Sequence, residues 1–144
     1  MRLPSGPVLG LLTVALLAGC SGDPEADPPA PDAGSYTITL EGFPVAPIPA
    51  NTTFTFTDRI EGDAVRASDH IGAHFGANST IEPSTAAYPV ACVHTHGDLP
   101  GTYQVTCTAP TAPGTYFLRG HARITTADGA MVNWWSAEQA FVVA

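Results

Sequence analysis

The sequence predicts an all-β fold: an antiparallel two-sheet sandwich of about seven strands. From Ser35 onward, β-branched and aromatic residues alternate with polar ones, which is the pattern of a strand with one buried face. The 144 residues include 14 Gly and 14 Pro, which favour short strands joined by turns over long helices. No segment has the apolar spacing of an amphipathic helix. The length suits a single folded domain.

The strands follow one another at short intervals along the chain. In the first, Tyr36, Ile38 and Leu40 alternate with polar residues, and in the second Phe54 and Phe56 alternate with threonines. Later segments show the same period, with Pro and Gly in the connections between them. The predicted strands are residues 36–41, 53–57, 70–76, 88–96, 102–108, 115–124 and 131–143.

The first predicted hairpin pairs two cysteines. Its turn is Gly-Asp-Leu-Pro-Gly at 97–101, and residues that face each other then have numbers that sum to 199. Cys92 faces Cys107 in this register, as a cross-strand disulfide requires. A free cysteine pair or a metal–thiolate site is the competing interpretation.

The second predicted hairpin turns at Asp128-Gly129, so that paired residues sum to 257. The register places Arg119 opposite Glu138 and Arg123 opposite Trp134, and we expect it to slip near Ser136-Ala137. Of the two adjacent tryptophans, we expect Trp135 to face the core. The opposite, exposed side is the predicted binding face, formed by Arg119, His121, Arg123, Trp134 and Glu138.

The third cysteine belongs to the N-terminal segment. An apolar run from Val8 to Leu17 follows Arg2 and ends in Leu17-Ala18-Gly19-Cys20. This ending resembles the lipobox of bacterial lipoproteins, and the resemblance implies that residues 1–19 are a signal peptide and that Cys20 carries lipid. Residues 20–34 then form an acidic, Pro-rich tether with no large apolar residue, and residues 35–144 form the sandwich.

Part of the domain resembles a known family. The segment 114–122 (Gly-Thr-Tyr-Phe-Leu-Arg-Gly-His-Ala), followed by Trp135-Ser136-Ala137-Glu138 and Phe141-Val142-Val143, is similar to the last two strands of fibronectin type III domains. The segment 70–76 is similar to their strand C. The likeness covers about half the chain, and it implies an immunoglobulin-like or fibronectin type III-like sandwich with a binding or spacing role. The disulfide departs from the family pattern.

Five histidines are the candidate metal ligands: His70, His74, His94, His96 and His121. His94 and His96 point to the same side of one strand, a spacing that recurs in metal sites. The 199 register puts that side on the core face, which favours a half-buried, hydrogen-bonded pair instead. His70 and His74 share the outer face of another strand, and in a type III-like sandwich that face adjoins His121. A single Zn²⁺ or Cu²⁺ site formed by these pairs is the alternative.

Charge and motifs narrow the function. The net charge of −8, with no lysine, argues against binding to nucleic acid. Nucleophile elbows, phosphate-binding loops and metalloprotease motifs are missing from the sequence, so we expect no enzyme. We predict an extracytoplasmic protein, lipid-anchored to the cell membrane (the outer membrane if the cell has one), whose non-catalytic sandwich binds a protein or glycan or has a structural role, without a cofactor. The alternative is a His-rich envelope lipoprotein that binds Zn²⁺ or Cu²⁺.

Overall fold

The structure is a computed structural model that describes residues 33–144, so the predicted signal peptide, Cys20 and nearly all of the tether lie outside the described residues. Within that range no helix is long and apolar enough to cross a membrane. The described chain is built from nine strands: β1 (Tyr36–Glu41), β2 (Thr53–Gly62), β3 (Arg66–Gly76), β4 (Val90–Ala91), β5 (Thr95–Leu99), β6 (Gly101–Thr108), β7 (Gly114–Thr125), β8 (Met131–Trp135) and β9 (Gln139–Val143).

The strands form two antiparallel sheets, which confirms the predicted sandwich. The smaller sheet has the order β1-β2-β6. In the larger sheet β3 and β7 are central; β4 and β5 both pair with the free side of β3, and β8 and β9 both pair with the free side of β7. Two of the seven predicted strands, 88–96 and 131–143, are therefore each broken into two short edge strands.

The break between β8 and β9 corrects the predicted register of the second hairpin. In β8 the paired numbers sum to 256, so that His121 faces Trp135 and Ala122 faces Trp134, whereas β9 pairs at 257. Ser136 makes the transition, because its backbone N–H donates to the Gly120 carbonyl and its hydroxyl accepts from the Gly120 N–H. A one-residue change of register exchanges the two faces of a strand. Trp134 therefore points into the core, and the expectation that Trp135 does so was wrong.

The first hairpin is also corrected, although its disulfide is confirmed. Cys92 and Cys107 are bonded, and the neighbouring bridge from Val93 to Thr106 keeps the predicted sum of 199. The flanking strands, however, pair elsewhere: β5 with β3 and β6 with β2. The disulfide consequently joins the two sheets rather than two strands of one hairpin.

The core between the sheets has two parts. One is rich in phenylalanine and includes the disulfide, while the other contains Tyr36, Ile60 and Leu99. Asp58 lies between Phe56 and Ile60 in the sequence of inward-facing positions of β2, and its side chain is fully buried. It faces Gly120 of β7, where an added Cβ would lie 2.8 Å from the Asp58 carboxylate oxygen Oδ1. A buried acid thus sits in the middle of an otherwise apolar interior.

Candidate metal centre

Three histidines meet on the outer face of the larger sheet because of the register between β3 and β7. His70 and His74 lie two residues to either side of Gly72 on β3, and His121 of β7 is paired with Gly72. All three side chains project away from the inward-facing Ile71 and its neighbours, since successive residues of a strand point to opposite faces. The predicted proximity of His74 and His121 is confirmed, with ring centroids 5.2 Å apart.

The three imidazoles are close enough to share one ion. His70, His74 and His121 each offer a ring nitrogen, and these nitrogens lie within 4.8 Å of one another. A four-coordinate ion at about 2.0–2.1 Å from each ligand holds its ligand nitrogens about 3.3 Å apart. Small rotations of the side chains, which shorten each separation by at most about 1.5 Å, would therefore bring the three rings into coordination.

A fourth imidazole approaches from the other side of Gly72. His94 lies in the connection between β4 and β5, and its ring stacks on that of His70 with the centroids 4.8 Å apart. Glycine at position 72 permits this approach, because an added Cβ would lie 3.2 Å from the His94 Cβ. His94 and His96 are both exposed, so the expectation that they form a half-buried pair on the core face was wrong. In the described chain His96 makes none of the ring contacts that join the other four.

A loop covers the histidines. Residues 77–89, which we call the strap, run from the end of β3 to β4 and place the fully buried Tyr88 beside Trp135. Trp135 in turn stacks on His121, with ring centroids 4.0 Å apart and planes inclined by 18°. His74 and His121 are consequently only 8% and 2% exposed, although they are on an outer sheet face.

Two side chains of the predicted binding face fasten the strap. The Glu138 carboxylate accepts hydrogen bonds from the Ser79 hydroxyl, the Thr80 backbone N–H and the Tyr88 hydroxyl. Arg119 donates from Nε to the Tyr88 hydroxyl and from a terminal nitrogen to the Thr80 carbonyl. Both residues hydrogen-bond to the Tyr88 hydroxyl. Their polar groups therefore bind the strap and not an external ligand.

The predicted binding face is therefore not assembled as one exposed surface. Because the register of β8 differs from the predicted one by one residue, Trp134 points toward Tyr36, with ring centroids 4.9 Å apart. Trp134 is therefore not paired with Arg123, as the sequence had predicted. Arg123 is paired with Asn133 across the strands and forms a salt bridge with Asp69. His121 is buried beneath the strap, where it joins the other imidazoles.

Each of the three central imidazoles keeps one ring nitrogen without a hydrogen-bond partner. These atoms are Nε2 of His70, Nε2 of His74 and Nδ1 of His121, and all are buried within residues 33–144. An unpartnered buried polar atom costs about 1–3 kcal/mol, so such atoms are rare and call for a physical explanation. Three of them on neighbouring rings of one cluster are explained if they are metal ligands.

The opposite ring nitrogen of His121 is held in place. Its Nε2–H donates to Oδ1 of Asn133 over 2.8 Å, which leaves Nδ1 as the lone-pair nitrogen. His74 makes a backbone hydrogen bond to Tyr88 and keeps Nε2 free. Metal-bound histidines usually have this second contact, since it sets the tautomer and the ring orientation.

The electrostatics keep these rings neutral. Desolvation by burial, followed by repulsion from neighbouring cationic groups, lowers the pKa of His70 to about 4. Burial also lowers the pKa of His121 to about 4, although its bond to Asn133 opposes the change, and it lowers the pKa of His74. Neutral imidazole is the form that binds metal ions.

The donor set indicates the class of ion. The three imidazole nitrogens of His70, His74 and His121 suit Zn²⁺ or Cu²⁺, whereas Cu⁺ prefers thiolate and thioether ligands. Both cysteines of the described chain are in the disulfide, and Met131, the one methionine beyond Met1, is 62% exposed at the start of β8. A cleft of about 390 Å³ beside the cluster is lined by strap residues and by His121, Arg123, Asn133 and Trp135.

The chain matches no protein-family model, and no curated protein is similar enough to be counted as a relative.

Proposed function

We propose that this protein is a lipid-anchored, extracytoplasmic protein whose β-sandwich binds one divalent transition-metal ion, Zn²⁺ or Cu²⁺. The observation that carries the metal-binding part is the cluster of His70, His74 and His121, which each offer a ring nitrogen within 4.8 Å of the others. Each of these rings also keeps one buried nitrogen without a hydrogen-bond partner. The three imidazoles are neutral, and hydrogen bonds from His121 and His74 already orient two of them. Metal-binding histidines usually have both properties.

Binding of a protein or glycan on the sheet face is less well supported. That face is covered by the strap, and Arg119 and Glu138 use their polar groups to hold it. The two sheets have three and six strands; counting each broken edge of the larger sheet as one strand gives three and four. Fibronectin type III domains share the sandwich architecture, which supports the proposed kinship in fold. Fold alone does not select a ligand, whereas the clustered histidines do.

Lipid anchoring is supported by sequence and by cysteine usage. Leu17-Ala18-Gly19-Cys20 resembles a lipobox, and the remaining two cysteines form the disulfide. Disulfides persist in oxidising, extracytoplasmic compartments. Cys20→Ala should release the protein from the membrane fraction; full retention of this variant in membranes would contradict lipidation at Cys20.

Calorimetric titration of the purified protein with Zn²⁺ and with Cu²⁺ tests metal binding. We expect one ion per chain and an increase in Tm that grows with the metal concentration. His121→Phe keeps a ring against Trp135 but removes the ligand nitrogen, so its affinity should fall at least 100-fold. His96→Ala is the matched control and should bind as the wild type does. The proposal fails if neither metal binds, or if His121→Phe binds with wild-type affinity.

A further inference from the structure

The four clustered histidines differ in how accessible they are. His74 and His121 are buried, His70 is half-buried, and His94 is exposed. An ion bound by all four would therefore have three ligands within the protein and one at the boundary with solvent. The inference below rests on the proposed metal binding.

His94 is exposed but its backbone is well anchored. Two residues before it, Cys92 is bonded to Cys107 of the opposite sheet, and its N–H donates to the Ala73 carbonyl over 2.8 Å. On the other side of His94, the following residue Thr95 is paired with Ile71 of β3. The side chain can thus leave the cluster by rotating about its own bonds while the chain on both sides stays in place.

We propose that His94 is the exchangeable ligand of the metal centre, and that the ion passes at this edge to an acceptor that presents imidazole or thiolate donors. The acceptor's lone pair forms a new bond to the ion as the bond from the His94 nitrogen breaks, and that electron pair stays on the imidazole. Zn²⁺ keeps its 2+ charge in this exchange, and a thiol acceptor releases its proton to solvent; for Cu²⁺ the acceptor presents imidazole. His70, His121 and His74 are displaced afterwards.

The first test is affinity. Removing a direct ligand should weaken Zn²⁺ binding by at least the roughly 10–100-fold that loss of an outer-shell partner costs, so we expect such a loss in His94→Ala. Free imidazole should restore the binding, because position 94 is open to solvent. His96 is also exposed and lies two residues away. His96→Ala is therefore the matched control and should leave the affinity unchanged.

The second test is the kinetics of transfer. Wild-type protein loaded with Zn²⁺ is mixed with a chromophoric chelator that carries nitrogen donors, and the transfer rate should increase in proportion to chelator concentration. In His94→Ala water takes the fourth position, and transfer should be at least tenfold faster. The transfer rate of Gly72→Ala should lie between those of the wild type and His94→Ala. Its added Cβ would come within 3.2 Å of the His94 Cβ and push the His94 ring aside.

The outcomes separate this proposal from the proposed function. If His94→Ala keeps wild-type affinity and transfer rate while His121→Phe has lost binding, the centre has three histidine ligands and the role of His94 is refuted. A wild-type transfer rate that does not depend on chelator concentration also refutes it. If no variant changes binding, or no metal binds, the metal-binding proposal itself fails.

Discussion

Replacing Asp58 with asparagine should stabilise the protein, and increasingly so as the pH rises. The Asp58 side chain is fully buried between the sheets, and neither carboxylate oxygen has a hydrogen-bond partner within the described chain. Desolvation by burial raises its pKa from 3.8 to about 8. The carboxyl group is therefore protonated in the folded protein at neutral pH, and it loses its proton when the chain unfolds.

The expected magnitude follows from this linkage. Above about pH 4 the unfolded chain binds fewer protons at this position than the folded chain, so the free energy of unfolding decreases as the pH rises toward 8. Each pH unit in this window costs about 1.4 kcal/mol. At pH 7, about three units above the unfolded pKa, the cost is on the order of 4 kcal/mol, which Asp58→Asn should largely recover.

Urea unfolding at several pH values, followed by tryptophan fluorescence, measures this effect. The wild type should lose stability between pH 4 and pH 8 relative to Asp58→Asn, and the two should converge near pH 4. Asp98→Asn is a control at an exposed aspartate and should change stability by less than about 0.5 kcal/mol. If the free energies of unfolding of the wild type and Asp58→Asn change in parallel with pH over this range, Asp58 is not protonated in the folded protein. That result would refute the reasoning.

Three further predictions concern the disulfide, the strap and the stacked tryptophan. Replacing both Cys92 and Cys107 with alanine should lower the free energy of unfolding by about 3 kcal/mol, since the bond spans 15 positions; guanidinium titration measures this, and an unchanged midpoint would contradict it. Glu138→Gln should weaken three hydrogen bonds to the strap at a cost of about 1–3 kcal/mol, and mass-spectrometric hydrogen exchange should be faster in residues 77–89 alone. Trp134→Phe leaves Trp135 as the single tryptophan; Cu²⁺ should then quench its fluorescence, because its ring stacks on His121, and the absence of quenching when calorimetry shows binding would place the ion elsewhere.

The strands were predictable because their signals are local. Alternating residues mark strands such as β1 and β2, and the sum of 199 was enough to pair Cys92 with Cys107. Most of β5 was missed, because residues 97–99 lie in the predicted turn. Both predicted hairpins nevertheless differ in detail. The slip expected near Ser136-Ala137 lies where β8 gives way to β9, and Ser136 bonds there to Gly120. The turn at Asp128-Gly129, however, permits registers that differ by one residue, so the sum of 256 in β8 was missed.

The metal centre could be predicted only in part, because it depends on pairing between distant strands. The five histidines stood out as a group, and His74 was expected near His121. The register of β3 with β7, which places His121 opposite Gly72, joins segments about 50 residues apart and has no signal in either segment. Asn133 and Tyr88, which orient the rings, were not identified, since a polar or aromatic residue in a strand or loop is too common a feature to indicate this role.

The two breaks in the edge strands have a consequence for how copies of this protein behave together. Both edges of the larger sheet consist of short strands, with β4 and β5 separated near Cys92 on one side and β8 and β9 separated near Ser136 on the other. A long, unbroken edge offers a row of unpaired N–H and C=O groups to which a second chain can add a strand. Here any such addition would meet an interruption after at most five residues. We therefore expect the larger sheet to resist edge-to-edge pairing when many copies are crowded on one surface.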